Sequence, residues 1–195
     1  MCNVGLLFGS FDPIHQGHLS IGQYFLKHIP VDEVWFVITP QNPLKKKTLT
    51  PHAHRLKMVA LATEDNPFLK ACTIEFSLQP PYHTYTTLEL LRQDFPTVSF
   101  CLLIGEDNLR QLEQWVAYQK ILDVFPLYVY PRVGCAISAP LQAHPNIRLG
   151  TRCPIMEISS TAIRKAVQKK EAISETWLPE KVMEYIGKHQ LYSCF

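Results

Sequence analysis

Residues 4–19 read VGLLFGSFDPIHQGHL, and the parsing of that string decides the fold. Residues 4–8 are apolar without alternation, the pattern of a strand buried on both faces of a parallel sheet. Gly9 follows, where a backbone can approach a ligand closely. Pro13 suits a first helical turn, because its missing N–H would have no intrahelical partner there, and Asp12 before it is a candidate N-cap. If a helix has begun by Ile14, His15 and His18 share one face of its first turn, beside the positive end of the helix dipole. Imidazole donors and unpaired backbone amides then converge on one corner, which suits an anionic phosphate group. A single histidine near a helix end is ordinarily only solvated. Here a strand, a glycine turn, a proline start and paired histidines agree in one register, which favours a functional corner.

Outward from this string the chain alternates apolar runs with helical periodicity. The first helix is expected to end near His28, and residues 33–39 (EVWFVIT) form a second strand stopped by Pro40. The loop that follows carries Pro43 and three adjacent lysines, Lys45, Lys46 and Lys47. It sits just after a strand end, where open α/β sheets place ligands. Thr50-Pro51 opens a second helix, with His52 expected to be solvated. A third strand over 68–76, a third helix over 84–92, a fourth strand over 98–104 and a helical segment from Asn108 that carries Trp115 come next. A fifth strand is expected over 126–130 and a short sixth over 147–149, after a surface loop at 133–145. Ser159 or Ser160 can cap a further helix that places Arg164 one turn inside, and an amphipathic helix follows over 178–192.

The fold class implied is α/β: a doubly wound, mainly parallel, Rossmann-like sheet of order 3-2-1-4-5 with a short sixth strand, plus C-terminal helices. The glycine turns after strands one and four would then open onto one cleft. One domain over 1–195 is expected, with 159–195 its C-terminal helical part.

The 195 residues suffice for a full α/β core, and an apolar fraction of 47% suits a globular protein. Nineteen basic against seventeen acidic side chains give a net charge of +2. That balance argues against nucleic acid or an acidic membrane surface as a partner. The six cysteines form no C-x-x-C pair and read as reduced packing residues. A zinc site from Cys135, His144 and Cys153 would match no common ligand set. Neither a signal peptide nor a membrane span is expected, so a cytoplasmic location is.

Gly9-Ser10-Phe11-Asp12-Pro13-Ile14-His15-Gln16-Gly17-His18 resembles the G-x-F-D-P-x-H-x-G-H signature of the nucleotidyltransferases related to class I aminoacyl-tRNA synthetases. Further on, Pro43-Leu44-Lys45, His54-Arg55-Leu56-Lys57-Met58, Gly105-Glu106-Asp107 with Trp115, and residues 158–164 (ISSTAIR) resemble the bacterial nicotinate-nucleotide adenylyltransferases over nearly the whole chain. The chain departs from that pattern at His83, where tyrosine is usual, at Thr86, where aspartate is usual, and at Leu44, where histidine is frequent.

The resemblance implies that nicotinate mononucleotide is joined to the AMP part of ATP, giving nicotinate adenine dinucleotide and pyrophosphate. It implies that His15, His18 and Arg164 are catalytic. Gly9, Ser10, Phe11, Ser159, Ser160 and Thr161 would join them in binding ATP. Lys45 would meet the mononucleotide phosphate, Trp115 would stack on the pyridine ring, amides around Thr84 would receive the nicotinate carboxylate, and Asp107 would bind a ribose or help order the site. A packed core position for Trp115 and a helix-cap role for Asp107 are the structural alternatives. Mg²⁺ would arrive on ATP phosphates with no protein metal ligands, and oligomeric state stays open. A nicotinamide-mononucleotide, pantetheine-phosphate or glycerol-phosphate transferase, or a non-catalytic nucleotide-binding module, are the competing functions. A dehydrogenase is disfavoured because the turn after strand one is not G-x-G-x-x-G.

Overall fold

The computed structural model describes residues 2–41, 49–131, 141, 143–150, 153, 158–174 and 176–193. Lys45, its neighbouring lysines, Cys135 and most of the 133–145 loop lie outside the described residues.

The sheet has six strands in the order β3-β2-β1-β4-β5-β6: β1 (Cys2–Gly9), β2 (Glu33–Ile38), β3 (Leu69–Cys72), β4 (Val98–Gly105), β5 (Leu127–Tyr130) and β6 (Ile147–Leu149). All the pairings among the described residues are parallel, so the sheet is parallel throughout. β1 lies between β2 and β4, with Leu6 opposite Trp35 on one side and Leu102 on the other. This is the point where the strand order reverses, and a crevice opens there beyond the strand ends.

Both faces of the sheet are covered, as the unalternating runs require. Leu7, Val34, Phe36, Ile38 and Leu103 pack on one face against α1 (Gln16–His28), α2 (His52–Thr63), α6 (Ser160–Gln168) and α7 (Glu180–Lys188). Val4, Leu6, Val37, Leu102 and Ile104 pack on the other against α3 (Thr84–Asp94), α4 (Glu106–Leu109) and α5 (Tyr118–Val124). Each fully buried side chain of this kind contributes about 1.5–3 kcal/mol. The four described free cysteines, Cys2, Cys72, Cys101 and Cys153, are packing residues, and burial pushes the Cys101 thiol up to about 12, far from reactive thiolate chemistry.

Three expectations are corrected. β3 stops at Cys72, and Ile74–Ser77 form a 3-10 turn closed by Phe76 N–H donating to the Thr73 carbonyl at 2.8 Å. The segment after Asn108 is not one helix. Leu112–Gln114 are a 3-10 turn, Trp115 is extended (φ −77°, ψ 140°) and Ala117 is left-handed (φ 57°), so α5 begins only at Tyr118. The first helix starts at Gln16 with His15 as its N-cap, so neither Asp12 nor Pro13 opens it. Asp12 is instead buried, its carboxylate accepting from Tyr192 Oη at 2.7 Å and from Thr50 N–H at 3.3 Å.

Candidate active site

The end of β1 shapes the centre of the site. A Cβ on Gly9 would lie 2.8 Å from the Phe11 ring, so only glycine lets that ring fold back under the strand. Phe11 holds φ 46°, a costly backbone position for a bulky residue. Its ring is 2% exposed and meets Phe36 and His18 edge-on at 5.5 and 5.1 Å. This core anchor swings residues 10–15 across the strand ends.

The two imidazoles stack, with ring centroids 3.8 Å apart. His15 N–H donates to His18 Nδ1 at 3.2 Å. An Nδ1 that accepts a hydrogen bond carries no proton, so His18 is assigned neutral with its hydrogen on Nε2. That tautomer presents an N–H donor, the group a phosphate oxygen needs.

The start of α6 is bound to the same loop. Ser159 Oγ caps the helix by accepting from Ala162 N–H at 3.1 Å. Ser160 Oγ donates to the Pro13 carbonyl at 2.9 Å, and the Arg164 guanidinium donates to the Asp12 carbonyl and, at 3.1 Å, to Thr161 Oγ1. Those bonds leave Arg164 with further donors and fix the N-terminus of α6 beside the histidines.

Arg55 supports this corner from behind, 1% exposed. Its guanidinium donates to the carbonyls of Thr50, Ser10, Thr39 and Pro40 at 2.7–2.9 Å. Burial draws its pKa down while Asp12 opposes the shift. It joins the ends of β1 and β2 to the start of α2, and it binds both flanks of residues 42–48. The sequence marks Arg55 only through family resemblance; its clamp joins positions as far as 45 residues apart, which local periodicity does not reveal.

A single cavity of about 570 Å³ collects these parts, a volume within the usual range for small-molecule sites. Gly9, Ser10, Phe11, His15 and His18 line it at the end of β1, and Ser159, Ser160, Thr161 and Arg164 line it at α6. Thr84, Asp107 and Trp115 complete the wall on the far side. Thus every site residue expected from the sequence, Lys45 apart, meets in one place. Lys45 lies outside the described residues.

Trp115 is partly buried, packing against the core and also facing the cavity. Asp107 is not a cap, since Gly105 holds that position. Its Oδ1 would lie 2.3 Å from a Cβ on Gly105, so glycine is needed for this close approach. His83 caps α3 and lines the cavity, whereas Thr86 is exposed and faces elsewhere. Of the two departures near the far wall, only His83 therefore bears on the cavity. Glu75, which the sequence did not single out, lines it as well.

Residues 6–166 match the Cytidylyltransferase-like family model. A protein named probable nicotinate-nucleotide adenylyltransferase from Flavobacterium johnsoniae is 44% identical over 191 residues, 97% of this chain and 98% of its own. One of the same name from Flavobacterium psychrophilum is 45% identical with the same coverage. The chain belongs to the nicotinate-nucleotide adenylyltransferase family. The family's fold is seen in Plasmodium falciparum nicotinic acid mononucleotide adenylyltransferase complexed with NaAD, with a TM-score of 0.84, 22% identity and 98% of each chain covered. Another structure of that Plasmodium enzyme, complexed with APC, gives 0.82 at 22% identity and the same coverage. These two likenesses carry the fold alone. The family's motifs converge on the cavity built above.

Proposed function

We propose that this chain is the adenylyltransferase that joins nicotinate mononucleotide to the AMP part of ATP, releasing pyrophosphate. One observation carries the assignment: the paired histidines, the serine-capped start of α6 with Arg164, and the wall of Thr84 and Trp115 line the same cavity. A triphosphate fits the first two and a pyridine ring the third.

The nucleophile is the phosphate of the mononucleotide, already largely dianionic because its second pKa is about 6. It attacks the α-phosphorus of ATP in line, forming one P–O bond as the bond to pyrophosphate breaks, so a strong general base is unnecessary. The protein must align two repelling anions and meet the charge spread over the transferring group. His18 Nε2–H and His15 are placed for the α-phosphate. Arg164, the amides of the first α6 turn and the Ser159 and Thr161 hydroxyls are placed for the β and γ groups, while Ser10 and Gly9 let the nucleotide lie close to the strand end. Lys45 would reach the mononucleotide phosphate from its loop. Asp107 is placed to hold a ribose.

On the far wall the first N–H groups of α3 have no intrahelical acceptors, and those around Thr84 suit the nicotinate carboxylate. The ring then lies against Trp115. The hydroxyls, imidazoles and guanidinium of the cavity suit phosphate oxygens; Glu75 and Asp107 are the carboxyls on its described wall. Mg²⁺ would therefore be held by ATP's own phosphate oxygens and water, where it neutralises charge.

Pyrophosphate release from ATP with nicotinate mononucleotide, nicotinamide mononucleotide or pantetheine phosphate as acceptor tests the assignment. Release should be fastest with nicotinate mononucleotide. Absence of release with every acceptor would leave a nucleotide-binding module, and preference for another acceptor would reassign the pocket.

Trp115→Ala should raise the KM for the mononucleotide about 10- to 100-fold, the usual cost of one lost base-stacking aromatic, with the ATP KM near that of wild type. Because Trp115 also packs against the core, the melting temperature is measured alongside. A fall in stability with no selective KM change would make the residue structural.

A further inference from the structure

Glu75 is a carboxylic side chain with only 1% of its surface exposed, yet it stands on the cavity wall. It belongs to the 3-10 turn between β3 and α3. Its Oε1 accepts from Thr87 Oγ1 at 2.7 Å, which fixes the carboxyl against the first turn of α3. Oε2 closes no hydrogen bond within 3.5 Å among the described residues, although the Thr39 hydroxyl lies near the carboxyl. A buried polar atom left unmatched is costly and calls for an explanation, and an incoming ligand would supply one. Around it on the same wall are Thr39 at the end of β2, His83 and Thr84 at the start of α3, and Trp115.

This is the wall assigned above to the pyridine ring and its carboxylate, and the inference rests on that assignment. A second carboxylate beside this buried one would repel the substrate unless one of the pair carries a proton. We propose that Glu75 determines which pyridine substituent the pocket accepts: as a neutral acid its Oε2–H donates to a ring carboxylate, and as an anion its Oε2 accepts from a ring carboxamide. Burial pushes this carboxyl up to about 7, against the Thr87 and Thr39 hydroxyls, which favour the anion. Near neutral pH both forms are therefore present before substrate arrives.

Other titratable groups around it are separable. Cys72 on β3 is buried, and its thiol is raised by burial and by Glu75. Tyr82, His83, His15, His18 and Asp107 line the cavity. On β2, Glu33 pairs with Lys70. On α3, Tyr85 lies under the Lys120 ammonium of α5, Glu89 pairs with Arg92, and Asp94 ends the helix. Apart from His83, these groups lie away from the ring substituent or meet the phosphates and riboses that the two mononucleotides share; His83 stands on the same wall as Glu75, so the Glu75→Gln variant, which keeps His83, is what separates the two.

The test is calorimetric titration of the full chain at pH 8 with nicotinate mononucleotide and with nicotinamide mononucleotide, each in two buffers of different ionisation enthalpy. The acid should take up about one proton more than the amide, since a carboxyl of pKa about 7 is mostly ionised at that pH. In Glu75→Gln, which keeps an acceptor for Thr87 and a donor in place of Oε2–H, that difference should vanish. The KM for nicotinate mononucleotide should rise about fivefold from pH 7 to pH 8 in the wild type, relative to the Gln variant, as the donor is lost. Equal proton uptake for the two ligands overturns the Glu75 assignment, and so does an identical KM slope in the variant. If neither mononucleotide binds, the acceptor assignment itself fails. If Glu75→Gln does not fold, the same titration of His83→Asn decides: a difference that survives without the imidazole supports Glu75, and one that vanishes overturns it.

Discussion

Replacing His18 with alanine is expected to lower kcat about 10²- to 10³-fold, the usual effect of removing one preorganised donor to a charge-bearing transition state, while the KM for ATP changes far less. The expectation follows from the hydrogen bond between His15 N–H and His18 Nδ1. It fixes the tautomer and so the place of the Nε2–H donor. The Phe11 edge and the stacked His15 ring hold that imidazole on two sides, so little reorganisation is left for the moment of reaction. A donor that met ground state and transition state equally would lower affinity and leave kcat alone. Single-turnover rates at saturating ATP separate the two cases: a loss carried wholly by KM would refute a transition-state role. Removing the ring also exposes the His15 N–H, so the variant's melting temperature must be compared with wild type before the rate is interpreted.

The strands that frame this site were legible because each is buried on both faces. Residues 4–8, 34–38 and 100–104 carry uninterrupted apolar runs, and such runs have few structural solutions other than a covered parallel sheet. The helix caps were partly legible. Ser159 and Pro51 were readable as helix starts, whereas Asp12-Pro13 carried the local signature of a helix start and was overridden. Its carboxylate instead bonds to Thr50 and Tyr192, the second 180 residues away, and no local propensity reports a bond of that reach. β3 was overextended because Ile74 and Phe76 continue an apolar alternation although the backbone has already turned at Thr73. The histidines, Ser159 to Arg164 and Trp115 were found through motif and family likeness. Glu75 was missed because an isolated glutamate among apolar residues looks like any solvent-facing strand position; only its burial and its unmatched oxygen set it apart.

Arg55→Leu is expected to cost about 3–5 kcal/mol of stability, the range for removing one partner from a buried charged network. For a chain of this size that is a fall of about 10 °C in Tm. The reason is an asymmetry between making and abandoning polar contacts. The guanidinium satisfies the carbonyls of Thr50, Ser10, Thr39 and Pro40 from a position only 1% exposed. A leucine fills part of the volume but leaves four half-buried acceptors without their donor, each losing a charge-assisted bond. It also removes the positive charge beside buried Asp12. Arg55→Lys should recover only part of the loss, because one ammonium cannot span carbonyls arranged for a planar fork. Thermal unfolding of both variants checks the magnitude. ATP binding checks the coupling, since Ser10 and Thr39 lie on the cavity wall; an Arg55→Lys chain that is folded at the assay temperature should bind ATP more weakly than wild type. If Arg55→Leu melts within about 2 °C of wild type, less than 1 kcal/mol by the same conversion, the four carbonyls find other partners and the ends of β1 and β2 are held without the arginine.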